Sequence, residues 1–185
     1  MIKLGGAAGS GLRAAASVRD GLSVGIQFYN VYRFECFGAD GILKWVEEKT
    51  NLVTTEGKND LLTKYFKGSA YTAAWYVGLI SGSSPTLAAG DTAASHAAWT
   101  EFVAYSQANR PTWTGGTASA GSLDNSASQA AFTINGGGGT VGGAFLISNN
   151  TKSGTTGVLY GESALGTART LAANDTLNIT ITLTV

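Results

Sequence analysis

The sequence predicts a mainly-β protein: an antiparallel β-sandwich of jelly-roll-like character, with one short helix and an extended N-terminal arm. Three observations carry this. From Thr176 to Val185 the chain alternates without a break, Leu177, Ile179, Ile181, Leu183 and Val185 on one side and Asn178, Thr180, Thr182 and Thr184 on the other. That is the period of a half-buried strand. An Asp40-Gly41 pair stands between two strand-like runs, a strong hairpin signal. In the second half large residues thin out and turn clusters recur between short apolar runs, as in sandwiches and barrels.

Taken in order, residues 1–25 are rich in Gly and Ala, and Gly5 to Ser10 and Ala14 to Ser17 have no bulk with which to build a core. They read either as a disordered terminus or as an arm docked on a partner, with Leu4, Leu12 and Leu22 as the side chains offered to it. The domain proper is expected over residues 26–185. Ile26 to Phe37 is its first strand, with Tyr32, Phe34 and Cys36 on one face and Arg33 and Glu35 on the other. After the Gly38 to Gly41 turn the strand returns as Ile42 to Glu48, centred on Trp45. Thr54 to Phe66 is the expected helix. Thr54 or Thr55 caps it, Glu56 sits at the positive end, and Lys64 and Lys67 sit near the negative end. Leu61, Leu62, Tyr65 and Phe66 form its apolar stripe, and Gly68 stops it.

Ala73 to Ile80 is apolar almost throughout and reads as a buried strand; Ser81 to Gly90, with Pro85, reads as a loop. Asp91 to Trp99 is expected to be a short helix capped by Asp91, followed by a strand over Glu101 to Ser106. Four further strands are expected at Ala130 to Ile134, Gly143 to Ser148, Gly157 to Gly161 and Thr176 to Val185. Turns separate them at Asn135 to Thr140, Asn149 to Thr156 and Ala172 to Asp175.

Composition narrows the function. Charged residues make up 13% of the chain, where soluble domains average about 25%. Gly, Ala, Ser and Thr fill the gap. A polar but uncharged surface suits a protein packed among neighbours better than one dispersed alone. Twelve basic and twelve acidic residues cancel, and no run of Lys or Arg exists, so no nucleic-acid partner is expected. The lone Cys36 can form no intrachain disulfide, the first residues lack the apolar stretch of a secretory leader, and no apolar run approaches a membrane span. Synthesis in a cytoplasm, with no membrane partner, is the expectation.

No chemical motif stands out against its ordinary reading. The single histidine, His96, lies between Ser95 and Ala97, with Asp91 and Glu101 nearby in sequence, and nothing marks a nucleophile with its base. Cys36 alternates inward with aromatics and reads as a small core residue. One His and one Cys far apart do not make a zinc site, and no metal or other cofactor is expected. Gly137, Gly139 and Gly142 match a dinucleotide fingerprint formally, but a strand follows where a helix is required. They read as a glycine-rich hairpin connection. Of the four tryptophans, Trp45 and Trp75 fall on strands, whereas Trp99 and Trp113 stand in loop-like context and are the candidates for an exposed or interfacial role.

Three segments together carry a resemblance: Phe34-Glu-Cys-Phe-Gly-Ala-Asp-Gly-Ile-Leu-Lys-Trp45, Asn51-Leu-Val-Thr-Thr-Glu-Gly-Lys-Asn-Asp-Leu-Leu62, and Lys67-Gly-Ser-Ala-Tyr-Thr-Ala-Ala-Trp-Tyr-Val-Gly-Leu79. They resemble a group of tailed-bacteriophage virion proteins in which a charged hairpin ending in Lys-Trp leads to Asn-Leu-Val, a short helix and a Trp-Tyr-Val-Gly-Leu strand. Leu171 to Thr182 resembles the closing strand of such proteins. The likeness spans residues 30–110 and 165–185 and brings no catalytic residue with it. It implies a structural role, foremost that of a capsid decoration or cement protein: a homotrimer on the capsid surface, bound to the major capsid protein across subunit boundaries. The alternative is a tail or fibre component that recognises a host surface ligand through exposed aromatics such as Trp99 or Trp113. A cell-wall hydrolase would need paired carboxylates, and Asp and Glu are too scattered to nominate a pair.

Overall fold

Two antiparallel sheets make the fold, and the sequence patterns explain which residues face between them. The computed structural model describes residues 28–71, 74–82 and 85–185. In chain order the elements are β1 (Val31–Phe37), β2 (Leu43–Thr50), β3 (Leu52–Val53), α1 (Thr55–Lys67), β4 (Trp75–Ser81), β5 (Glu101–Phe102), β6 (Thr112–Trp113), β7 (Ser122–Asp124), β8 (Ala130–Thr133), β9 (Gly139–Ile147), β10 (Leu159–Leu171) and β11 (Thr176–Thr184). The first sheet runs β2-β1-β11-β7, with β8 also on β11. The second runs β3-β10-β9-β4-β5, with β6 also on β4.

The closing strand is the centre of the first sheet. β11 pairs with β1 from Val31↔Thr182 to Phe37↔Thr176, and with β8 and β7 on its other edge. Leu177, Ile179 and Ile181 are completely buried, together with Tyr32, Phe34 and Cys36 of β1. They meet Val77, Leu79, Val141 and Leu146 of the second sheet in one core. This is a β-sandwich. The β1–β2 hairpin forms at the expected turn: Gly38 N–H donates to Ile42 O at 2.8 Å, and Gly41 takes φ +76°, which glycine adopts without steric cost.

The second sheet is covered on both faces, which explains why Trp75 to Ile80 reads as continuous rather than alternating. Val77 and Leu79 join the core between the sheets. Ile80, Phe145, Ile147 and Leu159 form a second cluster with Ala93 and Trp99. The segment expected as a helix over Asp91 to Trp99 is instead a run of turns that closes this outer face. The Asp91 carboxylate does not cap a helix; its Oδ2 accepts from Trp99 Nε1 at 3.2 Å and from Ala88 N–H at 3.3 Å.

Other expectations change in extent. The first strand is expected from Ile26; Ile26 and Gln27 lie outside the described residues, Phe28 to Asn30 are not strand, and β1 begins at Val31, while the strand expected over Glu101 to Ser106 is only the two-residue β5. The strand expected to end at Gly161 continues to Leu171, with a register shift between Ala164 and Arg169. The glycine-rich stretch at Gly137 is not a hairpin connection, because β8 belongs to the first sheet and β9 to the second.

The helix is where expected, capped as expected, but turned the other way. Thr54 Oγ1 accepts from Gly57 N–H at 3.0 Å, and Gly68 ends the helix at φ +67°. Thr54 also bonds the carbonyls of Leu159 and Tyr160, and Glu56 Oε2 accepts from Leu159 N–H at 2.9 Å. α1 therefore seats on β10 through its first turn. The contact is close enough to require glycine, since a Cβ on Gly57 would lie 2.4 Å from Tyr160 O.

Candidate functional site

Two surfaces stand out, and both expose large apolar side chains. The first is the free edge of β2, the end strand of its sheet. A lysine on an edge strand normally discourages strand addition by neighbours. Here the charges of the strand are held in ion pairs within the chain. Lys44 Nζ bonds buried Asp175 Oδ2 at 2.7 Å, and that bond holds the ammonium above its usual value. Burial pushes Glu47 up, but Gly166 N–H at 2.8 Å, Arg169 at 3.1 Å and Lys49 at 3.2 Å outweigh it and hold the carboxyl below the usual range. Arg169 in turn lies over the Trp45 ring. Ile42, Leu43 and Val46 are exposed by 66%, 49% and 37%, beside the Lys44 and Glu48 side chains at 42% and 55%.

The second surface is the outer side of α1. The helix shelters Glu56, Gly57, Asp60 and Lys64 against the sandwich and turns Leu61, Leu62, Tyr65 and Phe66 to solvent. The apolar stripe read from the sequence is real, but it does not pack on the sheet. Asp60 and Lys64 pair at 2.8 Å beneath the helix, and the Gly57 contact fixes which side faces down. Tyr65 and Phe66 pack edge to face and are exposed by 78% and 68%. A trough of about 400 Å³ runs beside them, lined by Phe28, Leu61, Tyr65, Phe66 and Val185. Across Leu61 lies a second hollow of about 230 Å³, walled by Tyr71, Trp75, Leu123, Tyr160 and Leu183.

The residues expected at an interface fare differently. Leu4, Leu12 and Leu22 lie outside the described residues. Trp99 and Trp113 are not exposed, and that expectation is corrected: they are 6% and 8% accessible. Trp113 Nε1 donates to Ile181 O at 3.2 Å and its ring joins the inter-sheet core. Trp99 is stacked by His96, with ring centroids 3.9 Å apart, and packs on Phe145. Short irregular sequence around a tryptophan marked a loop correctly, but the loops fold inward because each ring finds both apolar cover and an acceptor for its N–H. Trp45 and Trp75 pack against the core, as the strand pattern predicts.

The polar groups inside the fold serve its loops. Arg110 and Glu101 form a buried pair, Nε to Oε1 at 2.9 Å and Nη2 to Oε2 at 2.8 Å, and Arg110 Nη1 donates to Asn149 O at 2.8 Å. They border a cavity of about 250 Å³ also lined by His96, Trp99 and Ser153. Glu162 is fully buried. Its Oε1 accepts from Ala88 N–H at 3.1 Å, Oε2 has no partner in the described structure, and burial with Asp91 beside it pushes the carboxyl up to about 8. At neutral pH Glu162 therefore carries a proton. Neither Asp91 nor Glu162 lines that cavity. The Cys36 thiol is pushed up to about 11 by burial, which makes it a poor nucleophile. Among the described residues no three His, Cys, Asp or Glu are grouped to hold a metal ion, and no helix is long and apolar enough to cross a membrane.

No protein-family model, curated protein or solved structure matches the chain.

Exposed Ile42 and Leu43 were the residues that sequence reading missed. Their signal was present: two large apolar residues directly after the Asp-Gly turn, where polar residues are usual. The Asp91–Glu162 contact had no such signal, because only the folding of the turn segment onto β10 brings the two together.

Proposed function

We propose that this protein is a structural component of a tailed-phage virion, a capsid decoration protein that binds the assembled head and braces it across subunit boundaries. The observation that carries the reading is the β2 edge strand with Ile42, Leu43 and Val46 exposed and its Lys44 engaged in an ion pair with Asp175 of the same chain. An edge of this kind accepts an added strand from a neighbour, with backbone hydrogen bonds for affinity and alternate side chains for specificity. The low charge of the chain and the resemblance of the β1–β2 hairpin, α1 and β4 to phage virion proteins point the same way. Extra buried contact between shell subunits stabilises the assembled state by mass action. The partner on this reading is the major capsid protein, the decorating unit is a homotrimer, and the site of action is the capsid surface. The tail-fibre alternative drew on Trp99 and Trp113 as exposed aromatics, and their burial removes that support.

The test is co-sedimentation of purified protein with heads that lack it, followed by imaging of labelled particles. Wild type should label the whole head. The Leu43→Lys/Val46→Lys variant should keep its unfolding midpoint and lose binding, because both residues are exposed on a free edge. Label confined to the tail or to one vertex, or full occupancy by the edge variant, overturns the reading.

A further inference from the structure

The cavity bordered by Arg110 and Glu101 lies on the outer face of the second sheet, away from the β2 edge. Its floor is apolar: Phe145 and Ile147 of β9 and Leu159 at the start of β10, each at most 2% accessible. Two irregular segments stand on either side of that floor. One carries His96, Trp99 and Thr100, and the other carries Ser153 and Thr155.

Both walls are held in place. Arg110 N–H donates to Asn150 O at 2.8 Å, and its guanidinium donates to Asn149 O at 2.8 Å and to Gly154 O at 3.4 Å. Glu101 Oε2 accepts from Ser153 N–H at 2.5 Å. Ser153 takes φ +55° without being glycine, a conformation that persists only where its surroundings impose it and that gathers at binding sites. On the other wall His96 is stacked on Trp99, and its Nδ1 lies 3.0 Å from Trp99 O. A carbonyl oxygen only accepts, so Nδ1 carries the hydrogen and, in the neutral ring, Nε2 is left as an acceptor. Thr100, Ser153 and Thr155 are exposed, and their hydroxyls make no hydrogen bond to the described residues. Groups fixed in this way lose little freedom when they bind something.

These features define a ligand. The charged side chains that line the cavity, Arg110 and Glu101, are bonded to each other, so neither an anion nor a cation meets a free counter-charge. What stays open is one ring nitrogen that accepts and three hydroxyls that both donate and accept, set around an apolar floor. A neutral ring bearing several hydroxyl groups matches this, with O–H groups for the walls and a C–H face for the floor. Pockets that enclose a drug-sized molecule run to about 300–1,000 Å³, so about 250 Å³ admits one such ring and not a chain of them. We propose that this cleft binds a single neutral sugar ring, seated on Phe145, Ile147 and Leu159 and hydrogen-bonded by His96 Nε2 and the hydroxyls of Thr100, Ser153 and Thr155. The proposal does not rest on the decoration role, and its test needs no capsid.

Nuclear magnetic resonance titration of the isotopically labelled full-length protein decides it. Glucose, galactose, mannose and N-acetylglucosamine are added separately at millimolar concentrations, and the Trp99 indole N–H and the amides of His96, Ser153 and Thr155 are followed. At least one sugar should move these signals saturably. Thr100→Val/Thr155→Val removes two hydroxyls at exposed positions, so it should keep its unfolding midpoint and bind that sugar about tenfold more weakly. His96→Phe keeps a ring on Trp99 but removes Nε2, and it should weaken binding several-fold. Absence of a saturable shift with all four sugars overturns the proposal. Equal affinity in the Thr100→Val/Thr155→Val variant overturns it too, since the sugar then sits elsewhere. Inorganic phosphate binding at these signals more tightly than every sugar also overturns it, in favour of an anion site at Arg110.

Discussion

Replacing Glu162 with Gln should convert a pH-dependent protein into one much less so over the neutral range. In the fold Glu162 is fully buried, its Oε1 accepts from Ala88 N–H, and Asp91 stands beside it. Burial first, and the neighbouring Asp91 second, raise its pKa from 4.5 to about 8. The folded state therefore holds a proton that the unfolded chain releases between those values. Stability from this group is fully present below about pH 4.5 and is lost as pH rises through about 8. At about 1.4 kcal/mol per unit, the loss reaches roughly 3 kcal/mol by pH 7. Glutamine has the same shape, never ionises, and can still accept from Ala88 while donating to Asp91. Urea unfolding at pH 5, 6, 7 and 8 should thus show the variant gaining on wild type by roughly 3 kcal/mol across the range, or about 6–12 °C in Tm for a domain of this size. Every other titrating group is common to both proteins and cancels in the difference. If the two stability curves run parallel within about 0.5 kcal/mol, Glu162 does not hold the proton and the argument fails.

Two more substitutions probe the packing that sets the surfaces. Gly57→Ala should lower stability by about 1–3 kcal/mol, because the added Cβ meets the Tyr160 backbone at 2.4 Å and backbone does not swing aside; a gain of about 1 kcal/mol in denaturant unfolding, the value of alanine over glycine in an unconstrained helix, would show that α1 is not seated there. Arg110→Met should cost about 3–5 kcal/mol at pH 7 by leaving the Glu101 carboxylate buried without its partner, and a loss under about 1 kcal/mol would show that the pair is open to water.

Much of this protein follows from local rules. The alternation of Thr176 to Val185 places Leu177, Ile179 and Ile181 inside whatever covers that face, and a two-sheet sandwich is the economical cover for several such strands. The Asp40-Gly41 turn, the Thr54 cap and the Gly68 stop depend on the conformational preferences of a few adjacent residues, so they were legible and correctly placed. Three features were decided only by tertiary contact. The second sheet buries both its faces, so Trp99 and the turns around it fold onto Phe145 rather than outward. Helix α1 carries an apolar stripe that alone would direct it to the core, yet the Gly57–Tyr160 approach and the bonds of Thr54 and Glu56 to β10 turn that stripe outward. Lys44 is an edge-strand lysine in sequence, and Asp175, far along the chain, fixes its ammonium in an ion pair beside the exposed Leu43 and Val46. In each case period and composition state what a segment prefers to bury, while the direction it faces is set by contacts with partners distant in sequence, which no local pattern encodes.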